Sequence, residues 1–281
     1  MKISIIIPVY NEADTLRDCL DAISLMKIKP LEVIVVDNNS YDDTFDIAES
    51  YSFVKAVKEQ KQGVVYARTK GFNLAHGDII ARIDADTILP LDWIKNLKKI
   101  FKDDTLAATS GVADYYNVAY SNIFNAIDIH FRRKLAKELE GKMYLWGANM
   151  AIRKDAWNKV KAKLCFEKNI HEDYDLAIHL QELGMKVSFD ERITAKVSSR
   201  RIDTNFVSFI KYVWKSPSTY ARHNQKVYLN MMPVVATCII GYLPGRILYR
   251  GYDPIKEAFS INKLLEPNKE LSRIDPTVNV A

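Results

Sequence analysis

The chain has 281 residues, 48% apolar and 27% charged, with 40 Lys and Arg against 35 Asp and Glu for a net charge of +5. This balance excludes a disordered chain, a collagen-like repeat and a coiled coil, and the length suits one large domain or two small ones. Cys19, Cys165 and Cys238 are far apart and odd in number, which predicts neither a disulfide framework nor a cysteine-based zinc site and fits a reducing, cytoplasmic setting.

Residues 3–9 read as a buried strand of β-branched residues ending at a Pro-Val-Tyr-Asn-Glu turn. The run meets Pro8 and has no small-residue cleavage site, so it is not read as a secretory signal. Leu16, Cys19, Leu20 and Ile23 recur at helical spacing behind Asp14. Strands are predicted at 31–36, 54–57 and 79–83, with helices at 44–50, 63–75 and 91–101. The second strand stops at Asp37-Asn38-Asn39-Ser40, and the strand at 79–83 runs straight into Asp84-Ala85-Asp86. Alternating strands and helices of this kind predict an α/β fold, with a mostly parallel sheet covered on both faces. In such sheets a ligand lies outside the carboxyl ends of the strands. The three polar clusters, at 10–12, 37–40 and 84–86, all fall there.

Beyond residue 105 the pattern is less regular. A strand at 106–112, a helix at 122–140, an extended segment at 144–152, helices at 154–161 and 171–183 and a strand at 186–189 are expected. Residues 206–250 read as helical with breaks at Pro217, Pro233 and Pro244-Gly245, followed by a polar, loosely ordered tail from Glu266. This divides the chain into a main domain at 1–203, with halves 1–90 and 91–203, and a helical extension at 204–281.

Residues 206–250 hold six basic residues, no Asp or Glu, and eight aromatics, while the rest of the chain is close to neutral. That composition suits a membrane surface with anionic lipid; the other reading is a helix pair packed on the main domain with its charges in water. The longest apolar run, 231–243, falls short of the roughly 20 residues of a spanning helix, so no transmembrane helix is expected. No recognition motif points to nucleic acid.

Asp84 and Asp86 offer two carboxylates one residue apart after a buried strand, a donor set suited to Mg²⁺ or Mn²⁺ with phosphate oxygens completing the shell. Arg68, one strand–helix unit earlier, is a candidate phosphate fork. Tyr10 could stack on a base, and Asp37 or Asn38 could accept its N–H. Glu172 and Asp173 open a helix, where carboxylates are favoured by the dipole, and one of them aimed into a cleft would serve as a general base.

The stretches IIIPVYNE, VIVVDNNSYDDT, GVVYARTKGFNLAHGDIIARIDADT, GANMAIRKDAW and NIHEDYDLAIHLQELG together resemble family 2 glycosyltransferases of the GT-A fold. The match runs from about residue 3 to 200, with five motifs in order. The resemblance implies an inverting enzyme that uses a nucleotide-diphosphate sugar and a divalent metal. Carried over, it places Pro8 and Tyr10 at the nucleobase, Glu12 near the ribose or base, and Asp37 and Asn38 at the base-reading turn. Arg68 would approach the base or diphosphate, Asp84 the ribose or metal, and Asp86 the metal. Trp146, Gly147, Ala148 and Asn149 would flank the donor sugar and acceptor, and Asp173, beside Glu172, would be the catalytic base. Two positions depart from the pattern. Asn38 stands where Asp is common, which leaves the choice of base open. Residues 196–201 lack the His that many relatives use as a further metal ligand.

The expected function is sugar transfer to a saccharide or lipid-linked acceptor, in glycolipid, cell-wall or surface polysaccharide synthesis. The expected location is cytoplasmic, peripheral on the inner face of the membrane. A sugar nucleotidyltransferase would show a Gly-rich phosphate loop after the first strand, yet no glycine precedes Gly63. A non-catalytic scaffold of the same fold would have no need for the full set Asp84, Asp86, Glu172 and Asp173.

Overall fold

The computed structural model describes residues 1–138, 143–223, 226–253 and 256–266. The polar tail expected beyond Glu266, and the end of the helix expected at 122–140, lie outside the described residues.

The first half alternates as the sequence pattern requires. It runs β1 (Ile3–Val9), α1 (Ala13–Ser24), β2 (Glu32–Asp37), α2 (Thr44–Glu49), β3 (Val54–Lys58), α3 (Val64–Leu74) and β4 (Ile79–Ile83). These four strands pair in parallel, in the order β3-β2-β1-β4. Both faces of β1 are covered, because helices pack on either side. α1 buries Leu16, Cys19, Leu20 and Ile23 on one face, while α3 packs Ala67 and Phe72 on the other.

Next come β5 (Thr87–Ile88), α4 (Trp93–Ile100), β6 (Leu106–Tyr115), α5 (Ser121–Glu138), β7 (Asn149–Arg153), α6 (Lys154–Val160), α7 (Glu172–Glu182) and β8 (Lys186–Val197). They extend the sheet to eight strands as β4-β7-β6-β8-β5. Here the sheet is mixed: β7 runs antiparallel to both β4 and β6, and β8 is parallel to β6. Where the sequence suggested a strand at 186–189, β8 runs for 12 residues with register shifts against β6. The shifts let one strand turn along the end of the sheet and reach β5.

A 3₁₀ turn at Arg200–Asp203 leads to α8 (Phe206–Arg222) and α9 (Met232–Arg250), followed by β9 (Tyr252–Asp253), β10 (Ala258–Phe259) and α10 (Ile261–Leu265). Two of the three expected proline breaks do not occur: Pro217 lies inside α8 and Pro244 inside α9, and only Pro233 sits at a helix start. An interior proline costs about 3 kcal/mol. α8 offsets that by burying Phe209, Val213, Pro217 and Tyr220 along one face, since packing of an apolar stripe outweighs intrinsic propensity.

The extension packs on the main domain. Tyr220 and Met231 join Ile178 of α7, and Phe209 and Val213 join Val235 and Tyr242 of α9. The expectation that no helix would suffice to span a membrane fails on length and composition. Tyr228–Arg250 is one helix of 23 residues with mean hydropathy 1.5 and 22% of its apolar window buried. Its length is not evident from the apolar run at 231–243 because Asn230 and the Pro244-Gly245 pair bound that run without ending the helix.

Candidate active site

A cleft of about 670 Å³ opens at the carboxyl ends of β1, β2 and β4. The loops that line it are tied to one another. Asn11 takes a left-handed backbone, φ 53°, and its N–H donates to Ser40 Oγ at 3.0 Å while its side-chain oxygen accepts Tyr41 N–H at 3.0 Å. The backbone N–H of Glu12 donates to Thr44 Oγ1 at 2.7 Å. The turn after β1 and the turn after β2 therefore form one wall, carrying Tyr10 and Tyr41 edge to face.

Asn38 locks a third loop to that wall. Its Nδ2 donates to the carbonyls of Glu59 and Lys61 at 2.9 and 2.8 Å, and its Oδ1 accepts the Gly63 N–H at 2.7 Å. Gly63 sits at φ 136°, ψ 138° before the first residue of α3, a conformation reserved for glycine. The Asn38 amide is thus committed to holding the loop in front of α3, although the residue still faces the cleft.

Among the residues expected at the site, Pro8, Tyr10, Glu12, Asn38, Asp84, Trp146, Gly147, Glu172 and Asp173 form the cleft wall. Asp37, Arg68, Asp86 and Asn149 are buried behind it. Asp37 ends β2 and caps its turn by accepting Ser40 N–H at 3.3 Å. Asn149 is fully buried, with Nδ2 on the carbonyls of Val112 and Ile193 and Oδ1 on Trp93 Nε1. It holds the sheet together and does not touch the donor space.

Arg68 is also displaced from its expected role. It is fully buried on α3, and its Nη1 donates to the Glu172 carbonyl at 2.7 Å. An arginine that does face the cleft is Arg82 of β4, not among the residues expected at the site. A charged residue inside an apolar strand is the signal that would have found it. Arg82 pairs with Glu172 Oε1 and with Asp84 Oδ1, the latter at 3.1 Å. Gly147 makes room for this arginine, because a Cβ there would collide with the guanidinium.

Glu172 and Asp173 begin α7 and are driven in opposite directions. Burial alone would raise the Glu172 carboxyl, but Arg82 and Arg68 outweigh it and hold it down at about 2. Burial and then the charge of Glu172 push the Asp173 carboxyl up to about 7, against the Gly147 N–H on Oδ2 at 2.7 Å and the Tyr174 N–H on Oδ1 at 3.0 Å. His171, just before α7, is held down to about 4, chiefly by burial, and is neutral at pH 7.

Across the cleft from α7, Asp84 has its side chain 30% exposed. Asp86 is buried, and Arg200 Nε donates to its Oδ2 at 2.7 Å while Arg200 Nη2 pairs with Glu12. Arg200 follows the end of β8, in the segment where the family pattern would have a histidine. Asp84 and Asp86 are hard oxygen donors of the type Mg²⁺ or Mn²⁺ takes, and with Arg200 on Oδ2, Oδ1 is the oxygen through which Asp86 would reach an ion. The extension also reaches the cleft, through Arg201 before α8 and through Tyr212 and Lys215 on it.

Comparison with known proteins agrees with this architecture. Residues 4–161 match the family described as glycosyl transferase family 2. The amylovoran biosynthesis glycosyltransferase AmsB of Erwinia amylovora is 28% identical over 209 residues, 66% of this chain and 66% of that protein. The glycosyltransferase GlyA of Streptococcus pneumoniae is 31% identical over 121 residues, 41% of this chain and 17% of that protein. The chain covers between 17% and 34% of the length of four of the curated relatives it matches. Among solved structures, the mannosyltransferase PcManGT of Pyrobaculum calidifontis, in complex with GDP-Man and Mn²⁺, superposes with a TM-score of 0.65 at 21% identity, over 87% of this chain and 72% of that one. That likeness shows the GT-A fold. With more than half of its length matching the family in sequence, and with the sheet and cleft the family's fold requires, the chain belongs to glycosyl transferase family 2.

Proposed function

We propose that the protein is an inverting glycosyltransferase that moves a sugar from a nucleotide-diphosphate sugar to an acceptor hydroxyl or lipid phosphate, with Asp173 as general base. The observation that carries this reading is the Asp173 carboxylate in the cleft, fixed by two backbone N–H groups and set against the Arg82–Glu172 pair. A hydroxyl acceptor gives its proton to Asp173 as its oxygen bonds to the anomeric carbon. The bond from that carbon to the donor phosphate oxygen breaks, and the electron pair leaves with the nucleoside diphosphate. Attack from the opposite face inverts the anomeric centre. Arg201 and Lys215, in the cleft wall, supply positive charge where the leaving group gains negative charge.

Asp84 and Asp86 would hold Mg²⁺ or Mn²⁺, which when bound neutralises charge on the diphosphate. The GDP-Man and Mn²⁺ in the PcManGT complex support a nucleotide-sugar donor and a divalent ion here. The relation to AmsB, named for amylovoran biosynthesis, supports a saccharide acceptor in surface polysaccharide synthesis.

The test is nucleotide release from UDP-, GDP- and dTDP-sugars with Mn²⁺, with and without acceptor. With a hydroxyl acceptor, Asp173→Asn should lose on the order of 10²–10⁴-fold in turnover while donor binding, followed by thermal shift, is kept. A lipid phosphate is already ionised, so with that acceptor the loss should be small. Undiminished turnover with a hydroxyl acceptor would remove Asp173 as base, and the absence of release from every donor would remove the transferase reading.

A membrane-surface contact through residues 206–250 is part of the proposal. Its support is the outward face of α8 and α9, where Val207, Trp214, Ile240 and Leu243 are exposed, Ile240 to 77%. Cosedimentation of the protein with lipid vesicles tests it, and a protein left wholly in the supernatant would refute it. Such a contact would place the protein peripherally on the cytoplasmic face of the membrane.

A further inference from the structure

Away from the cleft, four side chains from three segments converge: Cys165, in the loop after α6; Asp175 and His179, one turn apart on α7; and His223, the residue that ends α8. Their ligand atoms all lie within 4.8 Å of one another. His223 Nε2 is 2.9 Å and His179 Nε2 3.5 Å from the same Asp175 Oδ1. Cys165 Sγ is 3.9 Å from His179 Nε2. Asp175 is completely buried.

We propose that these four side chains bind a zinc ion, which pins the C-terminal end of α8 to α7 and to the loop that leads into the cleft.

The hydrogen bonding around the cluster supports this. Both histidines turn Nε2 inward and Nδ1 towards one carboxylate, Glu182, whose oxygens lie 2.9 Å from His179 Nδ1 and 4.0 Å from His223 Nδ1. A neutral imidazole has a single N–H and cannot donate in both directions. His179, donating Nδ1–H to Glu182 at 2.9 Å, therefore turns a bare Nε2 lone pair towards Asp175 Oδ1 at 3.5 Å, a repulsion that a cation between them would relieve. With a metal on both Nε2 atoms, His179 Nδ1–H donates to Glu182, the arrangement by which metal-bound histidines are normally oriented, and His223 Nδ1 lies 4.0 Å from the same carboxylate. The second oxygen of Asp175 is occupied as well, accepting the Cys165 N–H at 3.0 Å.

The donor set identifies the ion. One thiolate, one carboxylate and two imidazoles neutralise a divalent cation, which suits a site with little exposure. Sulfur and nitrogen together select zinc over Mg²⁺ or Mn²⁺. Zinc bonds of about 2.0–2.3 Å in a tetrahedron put ligand atoms about 3.2–3.6 Å apart; three of the six separations, at 2.9, 3.5 and 3.9 Å, bracket that range, and all six are within 4.8 Å. Four protein ligands leave no open position, so the site is structural. The expectation of no cysteine-based zinc site is overturned in this proposal because it weighed cysteines only against one another. Cys165 finds its partners in an Asp-x-x-x-His pair on one helix face and a histidine 58 positions away along the chain.

The proposal is independent of the transferase reading and is tested without activity. The 281-residue chain, purified with zinc in the medium, should carry about one zinc per chain by mass spectrometry of the metal. Replacement by Co²⁺ should give a thiolate-to-cobalt absorption band, which an oxygen-only site at Asp84 and Asp86 cannot produce. Cys165→Ser should abolish the band and His223→Asn should lose the metal, while His76→Asn, at an exposed histidine outside the cluster, should keep both. If the ligand variants do not fold, Glu182→Gln serves in their place, since Glu182 is half exposed and faces the histidines' outer nitrogens. It should weaken zinc affinity by about 10–100-fold. A wild-type protein with no zinc and no cobalt band, or a Glu182→Gln variant with unchanged affinity, would overturn the proposal.

Discussion

At the scale of single residues, the site turns on two adjacent carboxylates given different environments by the residues facing them. Glu172 faces Arg82 and Arg68, and Asp173 faces backbone N–H groups and the charge of Glu172. Splitting a pair in this way keeps one group ionised and makes the other a proton acceptor near neutral pH. Glu172→Gln would leave the buried Arg82 with Asp84 as its remaining carboxylate and take away the negative charge facing the buried Arg68. The expected loss of stability is about 3–5 kcal/mol, read from urea unfolding. Its pH dependence follows from the direction of the shift. Glu172 is held at about 2, below its ordinary 4.5, so its contribution is complete above pH 4.5 and drains away as the pH falls towards 2. The gap between wild type and variant should narrow across that window. A gap that stays constant there would mean that Glu172 is not the carboxylate neutralising Arg82.

At the scale of elements, the loops after β1, β2 and β3 are tied together, the first two through Asn11 and the last two through Asn38. The Asn38 amide gives two hydrogens to carbonyls and accepts one from Gly63. An aspartate there, the commoner residue in the family pattern, would keep only the acceptor and would turn a charge towards the Glu59 and Lys61 carbonyls. Asn38→Asp should therefore cost about 1–3 kcal/mol and lower the melting temperature. Equal or higher stability would show that the carbonyls are easily rehydrated.

The strands at 3–9 and 79–83 and the clusters that follow them were legible because apolar β-branched runs end in polar turns, and this pattern leaves few alternatives. That Arg68 and Asn149 lie behind the cleft wall was not legible for a common reason: sequence gives the residue type but not which face of the element it lies on. Arg68 points under the site and Asn149 into the sheet. The continuity of α8 and α9 through Pro217 and Pro244 was hidden because it depends on packing between distant segments.

At the scale of the whole molecule, the charge argument for a membrane contact changes once the fold is known. Of the six basic residues between 206 and 250, Arg222 pairs with Glu167, and Arg246 and Arg250 pair with Asp203. Lys215 lines the cleft. Three of the six basic residues of the extension therefore pair with the main domain, while its outward face carries exposed apolar side chains. A contact made mainly by apolar side chains should resist salt. At about 1 M salt the screening length falls to about 3 Å, which would release a protein held by charge. The wild type should stay on vesicles of anionic lipid under those conditions. A double change of Ile240→Asp and Leu243→Asp, on the exposed side of α9 away from the packed Val235 and Tyr242, should release it at any salt concentration and leave nucleotide release from the donor unchanged. Release of the wild type by salt alone would return the contact to the lysines, and retention of the double variant would move it off α9.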